Sequence, residues 1–230
     1  MAATKTPQEA FNYVKSYLKS MPLSAISPEM LDQVSKRMWM AAPWRWTLGS
    51  LPATTILTNT QDYTITTPAD FLYLISGFIS DGANVYRNLI IEPQFPTDVK
   101  VVGNPSRISY EGSNVYRLFP KPGNVPNSPA QQMILRYKKK APAIDVPAMT
   151  EAGSLIFDDE WFWVFCEGVL WKAFQWGDDN RAGAVTETPN GTQYTGQAAV
   201  FQDALKFMAA HEKLPLLEPH DLANPKQGVK

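Results

Sequence analysis

The residues equipped for chemistry are few: two histidines, His211 and His220, a single cysteine, Cys166, and two acidic clusters, Asp158-Asp159-Glu160 and Asp178-Asp179-Asn180. A histidine works as an acid or base beside a group it can serve, yet neither has a matched partner in the sequence and no serine lies in a GxSxG elbow. Paired carboxylates build metal sites and glycosidase centres. Here the triplet opens an apolar run of helical length, where negative charge suits the positive end of the helix dipole, and that position accounts for it without chemistry. Asp178-Asp179-Asn180 lacks the alternating oxygen ligands and the downstream glutamate of a calcium loop and reads as a turn. Cys166 stands inside the apolar run and behaves as a small hydrophobe, so neither a disulfide nor a thiolate metal site is available. The 13 glycines form neither a GxGxxG nor a GK[ST] phosphate cradle. The chain is expected to have no catalytic residue, no cofactor and no metal, and not to be an enzyme.

Charge narrows the partners. Net charge is −1 with a pI near 6.1, which leaves no dense positive surface to hold a phosphate backbone by counterion release. The one basic run, Arg136 with Lys138, Lys139 and Lys140, ends an expected strand and reads as a solvated edge that resists unwanted pairing. No uncharged apolar stretch of about 18 residues occurs, so no membrane span is expected, and the chain reads as soluble and made without a secretory signal.

The elements that would position these residues change grammar along the chain. Thr6, Pro7 and Glu9 form a capping box with proline at the first helical position, and Phe11, Val14, Leu18 and Met21 then share one face. Ser27 and Pro28 repeat the start signal before a stripe of Leu31, Val34 and Met38. From there the sequence turns to short stretches rich in Thr, Ile, Val and Tyr. Strands are expected at 54–58, 62–66, 72–79, 85–91, 107–110, 115–119 and 131–137, with turns at Asp81-Gly82 and Glu111-Gly112-Ser113-Asn114. The proline-rich stretch 120–129 is expected to be a loop or a sheet edge.

Helical periodicity returns at Asp158. Phe157 to Trp176 holds four tryptophans and four phenylalanines, and after its first turn only Glu167, Lys172 and Gln175 are polar. Such a helix needs a partner on nearly every side, in its own core or between subunits. A last helix is expected from about Gly196 to Glu212, with Val200, Ala204, Phe207, Met208 and His211 on one face, after a flexible loop at Pro189-Asn190-Gly191. The tail that follows carries Pro215, Pro219 and Pro225, which favour an extended arm.

The fold expected is α+β: a four-helix bundle from residues 1–45 and 155–213, an inserted antiparallel β-domain at 46–154, and an extended C-terminal arm at 214–230. Trp161, Phe165, Val169 and Trp176 are expected in the bundle core or at a subunit interface. Leu214, Leu216, Leu217 and Leu222 on the arm are expected to dock on a neighbouring chain.

Several segments in this order resemble the head-to-tail connector, or adaptor, proteins of tailed bacteriophages. They are Ala42-Pro43-Trp44-Arg45-Trp46, Asp62-Tyr63 before Pro68-Ala69-Asp70-Phe71, and Gly103-Asn104-Pro105 leading to Tyr110. Val115 to Pro122 (VYRLFPKP), Ile134 to Pro142 (ILRYKKKAP), the acidic start of the aromatic helix, and Tyr194 to Glu212 (YTGQAAVFQDALKFMAAHE) complete the set. The resemblance implies a virion structural protein of the neck between capsid and tail, made in the host cytoplasm. It would form a ring, dodecameric in similar proteins, with partners in the portal protein, a tail or nozzle (stopper) protein and further copies of itself. DNA would pass through the ring without specific binding, which the lack of basic patches suits. The alternative is a carbohydrate-binding module of a phage tail, its β-domain stacking Tyr86, Tyr110 and Tyr116 on sugars.

Overall fold

The computed structural model describes residues 4–18, 28–81, 84–93, 101–125, 130–145, 147–150, 155, 157–189 and 191–214. Among them the fold is mixed α+β, with four helices and a large curled sheet. The chain divides into two compact units, Thr47–Lys140, and Met1–Trp46 with Ala141–Lys230.

The first unit is built on strands β1 (Leu48–Ser50), β2 (Thr54–Thr55), β3 (Asp62–Thr64), β4 (Phe71–Ser80), β5 (Val85–Ile91), β6 (Val102–Gly103), β7 (Arg107–Gly112), β8 (Val115–Phe119), β9 (Lys121–Pro122) and β10 (Gln132–Lys139). The sheet order is β1-β10-β4-β5-β7-β8-β3, with β2 also on β10, while β6 and β9 pair separately. Alternation along β8 sends Tyr116 and Leu118 inward, where Ile108, Ile79 and Met133 from three other strands meet them. Between β7 and β8 the turn needs left-handed backbone, and Gly112, Ser113 and Asn114 all have positive φ. Asn114 tolerates that region and its side-chain oxygen accepts the Thr67 backbone N–H at 2.9 Å, tying the turn to the strand end nearby.

Two expectations fail here. The sheet is not wholly antiparallel, because β5 and β7 run parallel, as do β6 and β9. A parallel pair needs a crossover longer than a hairpin, and the connection from Glu92 to Ser106 supplies it. The basic run is not a solvated edge either. β10 lies between β1 and β4, and Lys138 is fully buried with its Nζ donating to Thr47 Oγ1 at 2.7 Å. The pleat of β10 turns Met133, Leu135 and Tyr137 inward, and that alternation breaks at Lys138, buried next to Tyr137, in a stretch where the register against β4 shifts between Arg136 and Tyr137 and again between Lys138 and Lys139.

The second unit holds α1 (Pro7–Lys15), α2 (Pro28–Ala41), α3 (Phe162–Trp176) and α4 (Gly196–His211). Thr6 caps α1 reciprocally: its Oγ1 accepts the Glu9 N–H at 3.2 Å and Glu9 Oε2 accepts the Thr6 N–H at 2.8 Å. α1 stops earlier than the apolar spacing implied, since tighter bonds from Tyr17 N–H to Val14 and from Leu18 N–H to Lys15 take over, and Met21 lies outside the described residues. The segment before α4 contains a hairpin, β11 (Val185–Thr188) with β12 (Gly191–Tyr194), where a flexible loop was expected. At its base Gly183 and Gly196 cross so closely that a Cβ on Gly183 would stand 1.9 Å from the Thr195 carbonyl oxygen.

Candidate interaction surface

α3 is the centre of the helical unit. It packs against α1, α2 and α4, and nine of its residues from Val164 to Phe174 are buried. Gly168 makes the closest approach possible: a Cβ there would meet Val34 of α2 at 2.5 Å and Phe201 of α4 at 2.8 Å. The start of α3 is fastened to the start of the chain. Asp159 accepts the Thr4 N–H at 2.8 Å, the Thr4 hydroxyl at 2.5 Å and the Lys5 N–H at 3.1 Å, and these bonds hold its carboxyl below the ordinary aspartate value. The acidic triplet thus has a job beyond the helix dipole, and no feature of the sequence pairs residue 159 with residue 4.

Trp161, Phe165 and Val169 are buried in this unit. Trp176 is not a core residue of this chain. Burial on α3 ends at Phe174, and Trp176 on the last turn is 57% exposed. The α4 face is also rotated from the expected one: Phe201, Leu205, Met208 and Ala209 point inward with Ala204, while Val200 and Phe207 are exposed. α4 is apolar on two sides, so periodicity alone did not choose between them. Phe201 is inward because Gly168 and Trp171 of α3 receive it, the Trp171 and Phe201 rings stacking at 5.9 Å.

Several exposed residues of α1, α3 and α4 gather on one side. Trp163 and Phe207 meet edge to face at 6.1 Å, and Phe207 also touches Trp161, which in turn carries His211 at 5.2 Å. Val200 lies two turns before Phe207 on α4. Glu167, one turn after Trp163, bonds Gln197 of α4 and acts electrostatically on Tyr13 of α1, so the outward strip of α3 runs between α1 and α4. Tyr13 and Tyr17 are exposed there, their hydroxyls 3.2 Å apart, and that bond pushes the Tyr13 phenol up to about 12. Tyrosine and tryptophan left half in water over a packed core are what a subunit or partner contact uses.

Catalytic readings gain no support from the geometry. His211 faces an indole ring, and the Cys166 thiol is pushed up to about 12 chiefly by burial, with the neighbouring Glu167 adding to it, so it is no nucleophile. Asp179 caps the turn at Asn180–Ala182 and binds Arg181, whose guanidinium holds the carboxyl near 2. No group of metal-ligating side chains occurs among the described residues. Of the three rings named for sugar stacking, Tyr116 is fully buried and Tyr110 is packed between Phe71 and Tyr116, while the Tyr86 side chain lies outside the described residues.

On the arm, Leu214 packs partly buried against the helical core, its N–H bonded to the Ala209 carbonyl, while Leu216, Leu217 and Leu222 lie outside the described residues. No helix among the described residues is long and apolar enough to cross a membrane. No curated protein matches the chain. A family model described as SU10 adaptor protein matches residues 11–213, from within α1 to the residue before the arm.

Proposed function

The chain belongs to the SU10 adaptor protein family, a family of phage adaptors and hence of virion components, and from that membership we propose that it is a head-to-tail connector. In this reading the chain forms a ring that joins the portal protein to a tail or nozzle protein, and DNA passes through the ring without being held. The observation that carries the reading is the family match across nearly the whole chain. The aromatic side of α1, α3 and α4 supports it, because a lone chain has no use for Tyr13, Tyr17, Trp163, Val200 and Phe207 in water.

The four helices act as one bundle that forms the body of the ring, with the β-domain between the two helical segments as a separate contact surface. The arm at 214–230 reaches a portal or a neighbouring chain through Leu216, Leu217 and Leu222, starting from Leu214. A net charge of −1 keeps the channel from gripping its cargo. A phage carrying a stop codon in this gene tests the reading. It should produce DNA-filled heads without tails, and the gene supplied in trans should restore tailed, infectious particles. Tailed and infectious particles from the mutant alone would overturn the proposal.

A further inference from the structure

Two cations in the helical unit share one indole ring and have no counter-charge among the described residues. The Arg37 guanidinium of α2 lies 4.8 Å from the centre of the Trp171 ring and 5.9 Å from those of Tyr194 and Phe201. The Lys172 ammonium lies 4.7 Å from the same Trp171 ring. Aromatic faces attract a cation, and a guanidinium stacked among three of them is held well. They do not accept the guanidinium's in-plane N–H groups, which number five. Among the described residues neither Arg37 nor Lys172 has a carboxylate or any hydrogen-bond acceptor in reach.

The acids nearby in sequence are engaged elsewhere, Asp32 with Lys36, Glu167 with Gln197 and Asp179 with Arg181. Two of the rings that hold these cations carry donors of their own without a partner among the described residues. Trp171 Nε1 is buried on a side chain only 3% exposed, and the Tyr194 hydroxyl is buried and unbonded as well. The Lys172 ammonium is lowered by burial and secondarily by Arg37, as expected for like charges facing each other with no anion between.

We propose that Arg37, Lys172, Trp171 Nε1 and the Tyr194 hydroxyl form an anion site that takes a carboxylate from another protein chain. Four donors with no acceptor among the described residues, two of them cationic, suit a negatively charged group with several lone pairs. A carboxylate is flat and singly charged, and its two oxygens match the in-plane N–H edge that the ring-stacked Arg37 guanidinium leaves free. A nucleic-acid phosphate fits poorly, since the cations are partly buried among rings instead of standing in an exposed row. The source of the carboxylate, a neighbouring subunit or partner in the particle, rests on the connector reading. The chemistry of the site does not.

The full chain, labelled with nitrogen-15, is titrated with sodium acetate and separately with inorganic phosphate at constant ionic strength and pH 7. The Trp171 indole signal is assigned by its contacts to Phe201 and by its loss in Trp171→Phe. Acetate should move that signal saturably, and Arg37→Gln and Lys172→Gln should each weaken the apparent affinity at least tenfold while the rest of the spectrum stays in place. An indole that ignores acetate, or that responds equally in Arg37→Gln, overturns the site. A response to phosphate and not to acetate overturns its assignment to a carboxylate. None of these failures touches the connector reading, which the tailless phenotype tests by itself.

Discussion

Asp159 and Lys138 show how single residues set the response of this chain to pH. A carboxyl held below its ordinary value binds fewer protons in the folded chain than in the unfolded one, so the clamp from Asp159 to Thr4 and Lys5 is fully present above the ordinary aspartate value of 3.8. It is lost as pH falls through the lowered value. Amide exchange at Thr4 and Lys5 should therefore accelerate as pH drops toward 2 beyond the intrinsic trend, and Asp159→Asn should show that fast exchange already at pH 6. Lys138 acts in the opposite window. Burial pushes its ammonium down to about 7 from 10.5, so between those values the unfolded chain binds more protons and stability rises with pH. Thermal melting from pH 7 to pH 10 should climb more steeply in the native chain than in Lys138→Met; equal slopes would refute the buried-cation account. Neither residue could be assigned this role from sequence, since Lys138 sits in a run that looks like a charged edge and Asp159 finds its partner 155 residues away.

At the scale of elements the close packing of α2, α3 and α4 turns on Gly168. Alanine is the better helix former by about 1 kcal/mol. An added methyl would meet Val34 and Phe201 well inside contact distance, and such overpacking costs roughly 1–3 kcal/mol. Gly168→Ala should therefore lower the urea midpoint, whereas an unchanged or raised midpoint would mean the helices have room to spare. Much of this level was legible beforehand. The box of Thr6, Pro7 and Glu9 and the proline at 28 mark helix starts that depend on neighbours within one turn, and β5 and β8 fall where residue type and turn chemistry put them. What failed depended on distant partners. The parallel pairing of β5 with β7 is a choice of neighbour, the inward face of α4 is chosen by α3, and the hairpin of β11 and β12 lies in a polar stretch with no apolar alternation to announce it.

For the whole molecule, the aromatic side of the helical unit is the feature that a solitary chain does not explain. Trp163 and Phe207 are 44% and 59% exposed, so replacing both by serine removes little that the folded chain buries for itself. Trp163→Ser with Phe207→Ser should melt close to the native temperature yet fail to enter a ring; a large drop in melting temperature with assembly intact would assign the pair to the fold instead. The arm is separable in the same way. Because Leu214 packs on the core, truncation after that residue should leave a folded chain, and loss of portal binding in it would place the contact in residues 215–230. Composition had already pointed away from enzymes, and the family match supplied the adaptor assignment that packing and charge alone do not contain. The central claim is most directly tested by native mass spectrometry of the purified chain, alone and mixed with the portal ring of the same genome. The account predicts a ring of this chain bound stoichiometrically to the portal, and a chain that stays monomeric and unbound in both samples would contradict it.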